Sequence, residues 1–183
     1  MTQPALLTPT AVMEELKKNG VTHVVTLPDS ETRWMWRAME AEAGLDLVPV
    51  SQEGESMAIA AGLTMGGKRP VVLIQSTGLF EAGDSLRGIT LELKLPLVMV
   101  IGYRGWSRHG VTTDSAARFL EPVLNAWGIR YHLVERDADA KRISLAFEEA
   151  YRTSRPVAVL IAVDPTASTE DSDTGLPRRK GAR

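Results

Sequence analysis

Six short apolar runs, separated by longer amphipathic stretches, constrain this chain more than any other feature. The runs are Val21–Leu27, Asp46–Val50, Val71–Ser76, Leu97–Gly102, Arg130–Val134 and Val157–Val163. Three of them contain nearly unbroken apolar segments, VVLI, LVMVI and VAVLIAV. Runs without alternation predict strands buried on both faces, as in a parallel sheet. Helical patterns fall between them, near Thr10–Asn19, Glu31–Ala43, Glu53–Met65, Phe80–Leu93, Ala116–Trp127 and Ala138–Thr153. Strict alternation of helix and strand predicts an α/β fold. The expectation is a single domain: a three-layer α/β/α, doubly wound, six-stranded parallel sheet. Local punctuation agrees. Thr8-Pro9 reads as an N-cap followed by proline at the first helical position. Gly20, Gly44, Gly66 and Gly128 stand where helices should stop.

Composition narrows the function classes. The chain has 183 residues, of which 44% are hydrophobic and 24% charged, which suits one globular domain. It has no cysteine, so disulfides, thiolate nucleophiles and cysteine-ligated metals are excluded. No apolar run reaches the roughly 20 residues of a membrane span, and the N-terminus lacks a secretory pattern. A net charge of −2 gives no field that would gather nucleic acid or an anionic membrane. The expected location is cytoplasmic. Residues 1–165 read as the domain. Residues 166–183 turn small, polar and finally basic, and read as a flexible tail.

Ligands of such sheets bind beyond the carboxyl ends of the strands. There the chain places Pro28-Asp29-Ser30, Ser51–Glu55, Ser76–Phe80 and Tyr103–Trp106. GxGxxG, GxxxxGK[ST] and GxSxG are all absent. His23, His109 and His132 lack metal-ligand spacing. Glu53 stands out because it opens a helix of unusually small residues, GESMAIAAGLTMGG. An acid at a helix start is favoured by the macrodipole. On position alone, Glu53 and Glu55 read as helix caps as readily as functional groups.

A series of short motifs adds to this reading. They are Leu27-Pro28-Asp29-Ser30, Gln52–Glu55 with Ala58–Gly62, Ile74–Leu79, Ile101–Gly105, and Glu121–Ile129. Taken in order, they resemble the pyrimidine-binding (Pyr) domain of thiamine diphosphate-dependent enzymes. Within that family the likeness is to sulfopyruvate and phosphonopyruvate decarboxylases, and it covers roughly Pro9 to Asp164. The resemblance implies that Glu53 hydrogen-bonds the aminopyrimidine ring and relays a proton during cofactor activation. It places Ser76, Thr77 and Gly78 beside the cofactor ring, and Asp29, Ser30 and Arg104 near the substrate. For Arg104, an interface or surface ion pair is an equal alternative. Glu55 reads as a cap or interface group, since it points away from Glu53.

Departures from the family pattern bear on substrate choice. Phe80 replaces a glycine of that pattern and Glu81 replaces an asparagine. A ring there should reshape the pocket, and a carboxylate should repel a sulfonate or phosphonate. The GDG motif that holds the diphosphate through Mg²⁺ in such enzymes is missing, since the single Gly-Asp pair, Gly83-Asp84, is followed by Ser85. The resemblance therefore implies an α-type subunit of a split 2-oxo acid decarboxylase, a carbon–carbon lyase. A β-type partner would supply the diphosphate and Mg²⁺ site, in a heterotetramer or larger assembly. Met57, Ala58, Ala61 and Met65 would then meet the partner, or else face the chain's own sheet. Trp34 and Trp36 are expected on opposite sides of their helix, one of them facing an interface. Two other readings remain: a thiamine diphosphate-dependent carboligase subunit, and a non-catalytic ligand- or protein-binding regulatory domain.

Overall fold

The computed structural model describes residues 6–162. Its first helix, α1 (Pro9–Lys18), begins as the Thr8-Pro9 pair predicts: the Thr8 hydroxyl accepts from the Ala11 N–H at 3.2 Å. The chain then passes through β1 (His23–Thr26), a 3₁₀ turn at Arg33–Met35, α2 (Trp36–Glu40), β2 (Asp46–Pro49) and α3 (Glu53–Met65). Next come β3 (Pro70–Gln75), α4 (Ser76–Glu81), α5 (Gly83–Ser85), a π-helical segment at Leu86–Leu91, and β4 (Val98–Gly102). It closes with α6 (Ser115–Ala126), β5 (Arg130–Val134), a 3₁₀ turn at Asp137–Asp139, α7 (Lys141–Thr153) and β6 (Val157–Ile161).

All strand pairs are parallel, in the order β2-β1-β3-β4-β6-β5. The apolar runs explain this order. Three of the four interior strands, β3, β4 and β6, are buried along nearly their whole length, whereas β2 and β5 lie at the edges and are partly exposed. A strand covered on both faces has no use for polar alternation. The side chains still alternate in direction. Val71, Val98 and Val157 face one helical layer with α1, α2 and α7, while Val72, Met99 and Ala158 face the other with α3, α4 and α6. The three-layer α/β/α, doubly wound expectation holds. Met57, Leu79, Leu120 and Leu124 anchor the second layer and are completely buried. Each such side chain contributes about 1.5–3 kcal/mol relative to an exposed one.

Several expectations need correction. The helix expected over Glu31–Ala43 is a 3₁₀ turn followed by a single short α-helix. Trp34 and Trp36 do not lie on opposite sides of it; both pack against the same core, and the Trp34 indole donates to the Glu31 carbonyl at 2.9 Å. Met57 packs in the core on the chain's own sheet and Ala61 is buried, whereas Ala58 is exposed and Met65 is 75% exposed. At the end of α3 the left-handed residue is Gly67, with φ +76°, rather than Gly66. The stretch expected as one helix over Phe80–Leu93 starts four residues early, at Ser76, and breaks into three pieces. The tail at 166–183 lies outside the described residues.

The topology determines where a ligand can sit. β1 connects outward to β2, and the chain then crosses back over β1 to β3 on its other side. The crevice at the carboxyl ends of β1 and β3 is thus a topological switch point, the usual ligand position in an open α/β sheet.

Candidate active site

Glu53 opens α3 immediately beyond the end of β2. Its neighbours explain why it points inward. Glu55 takes the capping role expected of it, its Oε2 accepting from Ser51 N–H at 3.0 Å and Gln52 N–H at 3.3 Å. Glu81, 27 residues away from Gly54, accepts that residue's N–H at 2.7 Å and also binds the Gln52 side-chain amide. With these first-turn donors served by two other carboxylates, Glu53 is released from capping. No hydrogen bond reaches its carboxylate among the described residues. Its side chain is half-buried and lies flat on Gly78. A Cβ placed at Gly78 would come within 2.6 Å of Glu53 Cγ and 2.7 Å of Oε1. The two residues need one another: the glutamate can lie there because residue 78 has no side chain.

Ser76, Thr77 and Gly78 are not a loop. They form the first turn of α4, which begins directly at the end of β3. Ser76 is fully buried, and its hydroxyl has no hydrogen-bond partner. The neighbouring Gln75 Oε1 and Asp29 Oδ2 are likewise buried without partners. Unpaired buried polar atoms are rare and costly, on the order of 1–3 kcal/mol each. With Thr26 Oγ1 on the last residue of β1, four of them gather at the carboxyl ends of β1 and β3.

Asp29 is held by its other oxygen, which accepts from Glu31 N–H at 2.7 Å and Thr32 N–H at 2.8 Å. Burial pushes its carboxyl above the ordinary value, against the lowering effect of those bonds. Ser30 is exposed beside it and reaches only Glu31, at 3.4 Å. Glu31 is a residue that sequence reasoning missed. Its Cβ packs against Gly102 at the end of β4, where an added Cβ would lie 2.6 Å away. Burial, with the nearby Asp29 charge, raises its carboxyl as well.

Arg104 lies beyond β4 and is half-exposed. Its Nε donates to Asp114 Oδ2 at 3.0 Å. Asp114 caps α6 with its other oxygen, accepting from Ala116 N–H at 2.8 Å. That N–H bond first, and the Arg104 pair second, hold the Asp114 carboxyl below its usual range. The ion-pair alternative for Arg104 is thus present in the structure. The sheet ends bring Glu53 against Ser76–Gly78, with Asp29 at the adjacent strand end, and Arg104 stands one strand further along. Glu81, expected to repel an anionic substrate, is instead engaged by the N-terminus of α3.

The glutamate, the glycine it lies on and the Ala/Gly-rich helix behind it lie within a region, residues 8–110, that matches the family model for the thiamine pyrophosphate enzyme N-terminal TPP-binding domain. The chain belongs to that family. It is 27% identical over 155 residues to the sulfopyruvate decarboxylase subunit alpha of Methanothermobacter thermautotrophicus, covering 84% of this chain and 94% of that relative. It is 24% identical over 152 residues to the sulfopyruvate decarboxylase of Methanosarcina acetivorans, covering 82% of this chain but 39% of that longer protein. Among solved structures, one from Mycobacterium smegmatis described as thiamin diphosphate-dependent superposes with a TM-score of 0.62 at 22% identity. The match covers 85% of this chain and 30% of that one, and supports the fold. The fold and the family inferred from the short motifs are therefore correct. No helix among the described residues is long and apolar enough to cross a membrane.

Proposed function

We propose that this Pyr-domain protein is the α-type subunit of a split thiamine diphosphate-dependent 2-oxo acid decarboxylase, and that Glu53 is its catalytic acid. The observation that carries the reading is the Glu53 carboxylate, freed from capping and laid across the bare Gly78 backbone. The residues fit the group. An aminopyrimidine offers donors and acceptors in one plane, which the buried, unpartnered Ser76 hydroxyl and the Gln75 side-chain carbonyl would engage. Thiamine diphosphate, when bound, supplies the electron sink that decarboxylation requires. Glu53 would hold a proton at its carboxyl and share it with the ring. Ser76, Thr77 and Gly78 would line the ring, and the absence of a side chain at residue 78 would permit close approach. Asp29 and Ser30 would face the substrate from the neighbouring strand end, with Arg104 drawing its negative charge.

Support for a partner comes from the relatives' names. The relative from Methanothermobacter thermautotrophicus, named a subunit alpha, is covered almost end to end, whereas the longer Methanosarcina acetivorans protein extends well beyond the matched region. In this reading a β-type chain holds the diphosphate through Mg²⁺, in a heterotetramer or larger assembly in the cytoplasm. A cofactor gripped by its pyrimidine alone should bind weakly. Calorimetric titration with thiamine diphosphate and Mg²⁺ tests this, first on the chain alone and then with the β-type protein added. Weak binding that tightens at least a hundredfold on mixing is expected. Tight binding and turnover by this chain alone would overturn the split arrangement.

A further inference from the structure

Helix α4 presents two different stripes. Gly78 and Glu81, three residues apart, face α3. Thr77 and Phe80, also three apart, form the neighbouring stripe, about 100° further round the helix, and line a groove of about 570 Å³ between α4 and α6. Small-molecule sites usually measure roughly 300–1,000 Å³. The mouth of the groove, at the strand ends, is formed by Thr77, Arg104 and Asp114; its inner part is lined by Phe80, Phe119 and Trp127.

Two observations set this groove apart from an ordinary surface crease. First, α6 carries more apolar surface than its own core uses. Leu120 and Leu124 are completely buried against the sheet and Trp127 is partly buried against the same core, yet Phe119 stands at the groove 56% exposed. The exposed Phe119 ring extends the partly buried Phe80 and Trp127 surfaces into one apolar patch within the groove, and a continuous patch of this kind marks a binding surface where a single exposed ring does not. Second, Arg104, the cation among the groove's lining residues, is oriented. Asp114 takes only the Nε edge of Arg104, and no hydrogen bond reaches the two Nη groups among the described residues. Asp114 is itself fixed by the Ala116 N–H and by Gly105, whose φ of +73° lets the loop pass with no Cβ to strike Asp114. The Nη edge of the half-exposed Arg104 therefore remains open to an anion at the groove that Phe80, Phe119 and Trp127 also line.

We infer that this groove binds the side chain of an aromatic or bulky apolar 2-oxo acid, with its carboxylate drawn to Arg104 and its ring over Phe80, Phe119 and Trp127. Asp114 is the positioning residue that turns Arg104 toward the mouth. Thr77 sets the groove beside the Glu53 site, since the next residue, Gly78, lies under the glutamate on the adjacent stripe of the helix. A doubly anionic three-carbon acid would leave the aromatic floor bare. Only the word "oxo" rests on the decarboxylase reading; the charge and shape of the ligand come from the groove itself.

The test separates the two. The full chain is titrated calorimetrically with phenylpyruvate and with pyruvate. Phenylpyruvate is expected to bind roughly tenfold tighter or better, as burial of a phenyl ring implies. Phe119→Ala, at an exposed position that should not disturb folding, is expected to remove most of that preference, and Asp114→Asn to weaken both ligands alike. In the assembly with the β-type protein, kcat/KM should favour phenylpyruvate, and Phe119→Ala should raise KM for it with little change in kcat. Groove binding without turnover of any 2-oxo acid would leave this inference standing and overturn the decarboxylase reading. Turnover of pyruvate as good as that of phenylpyruvate, indifferent to Phe119→Ala, would do the reverse. Loss of assembly with the β-type protein in Phe119→Ala, together with no binding of phenylpyruvate to the chain, would identify the groove as a protein contact and overturn the inference.

Discussion

Gly78→Ala separates stability from function more sharply than any other substitution available here. The new methyl carbon would sit 2.6 Å from Glu53 Cγ and 2.7 Å from Oε1. Unstrained carbon contacts need about 3.5–4.0 Å, so the Glu53 side chain must shift by roughly 1 Å. The shift is within reach of a half-buried side chain, at a rotamer cost of about 0.5–1.5 kcal/mol. Residue 78 is helical, so alanine also gains up to about 1 kcal/mol of helix propensity. The two effects nearly cancel, and urea denaturation should place the variant within about 1 kcal/mol of the parent. Catalysis has no such compensation. Misplacing a catalytic group by 1 Å costs on the order of 10²-fold. The reconstituted enzyme should therefore lose about that much turnover with its stability intact. A double-mutant cycle isolates the cause. With Glu53→Ala the clash is gone, and Gly78→Ala should then stabilise by up to about 1 kcal/mol, giving a coupling of about 0.5–1.5 kcal/mol. An identical stability effect in both backgrounds, or full turnover in Gly78→Ala, would refute the claim that these two residues hold one another.

Three further outcomes follow from the site. Burial raises the Asp29 pKa, so the fold disfavours its charged form. Asp29→Asn should be neutral or stabilising at pH 7, with the difference closing as pH falls through the folded pKa toward the ordinary value near 3.9. Denaturation curves at several pH values check this; a variant less stable at pH 7 would contradict it. Tyr103 and Tyr131 both donate to Glu121, at 2.9 and 2.7 Å, tying α6 to β5 and to the end of β4. Tyr103→Phe should cost about 1–3 kcal/mol, as for hydrogen bonds to charged groups. Burial and Glu121 both raise the Tyr103 pKa, so the parent protein should also lose stability above about pH 10, where the unfolded phenol ionises and the folded one does not. The Phe variant should show less of that decline. Gly105→Ala should cost about 2 kcal/mol or more, since a left-handed residue alone costs about 1–2 and its Cβ would lie 2.4 Å from Asp114 Cβ; urea denaturation measures it, and a loss below about 0.5 kcal/mol would contradict the packing argument.

The residues that were legible in sequence share a physical property: their signals are local. α3 spans Glu53–Met65 in both the sequence reading and the structure, because an acidic first turn opens it and glycines close it. The buried strands announced themselves because residues covered on both faces must all be apolar. What sequence reasoning misplaced depends on distant partners. Ser76-Thr77-Gly78 has the composition of a turn, yet it forms the first turn of α4, with its glycine lying under a glutamate from another helix. Tertiary packing overrides propensity there. Glu81 read as a charge facing the substrate because the donor it serves, Gly54, lies 27 residues earlier in the chain. Glu31 drew no notice because its approach to Gly102 crosses from the end of β1 to the end of β4. Likewise the groove toward Phe119 and Trp127 exists only once α4 and α6 stand side by side.

The central claim is that Glu53 serves catalysis and is not needed for folding or assembly. The most direct measurement compares 2-oxo acid turnover by the parent and Glu53→Gln proteins, each reconstituted with the β-type subunit, thiamine diphosphate and Mg²⁺ at matched assembly. The amide keeps the shape and loses the proton. Turnover should fall by roughly 10²–10⁴-fold, the usual worth of a positioned acid or base, while subunit association and thermal stability stay unchanged. Turnover within a few-fold of the parent would contradict the account.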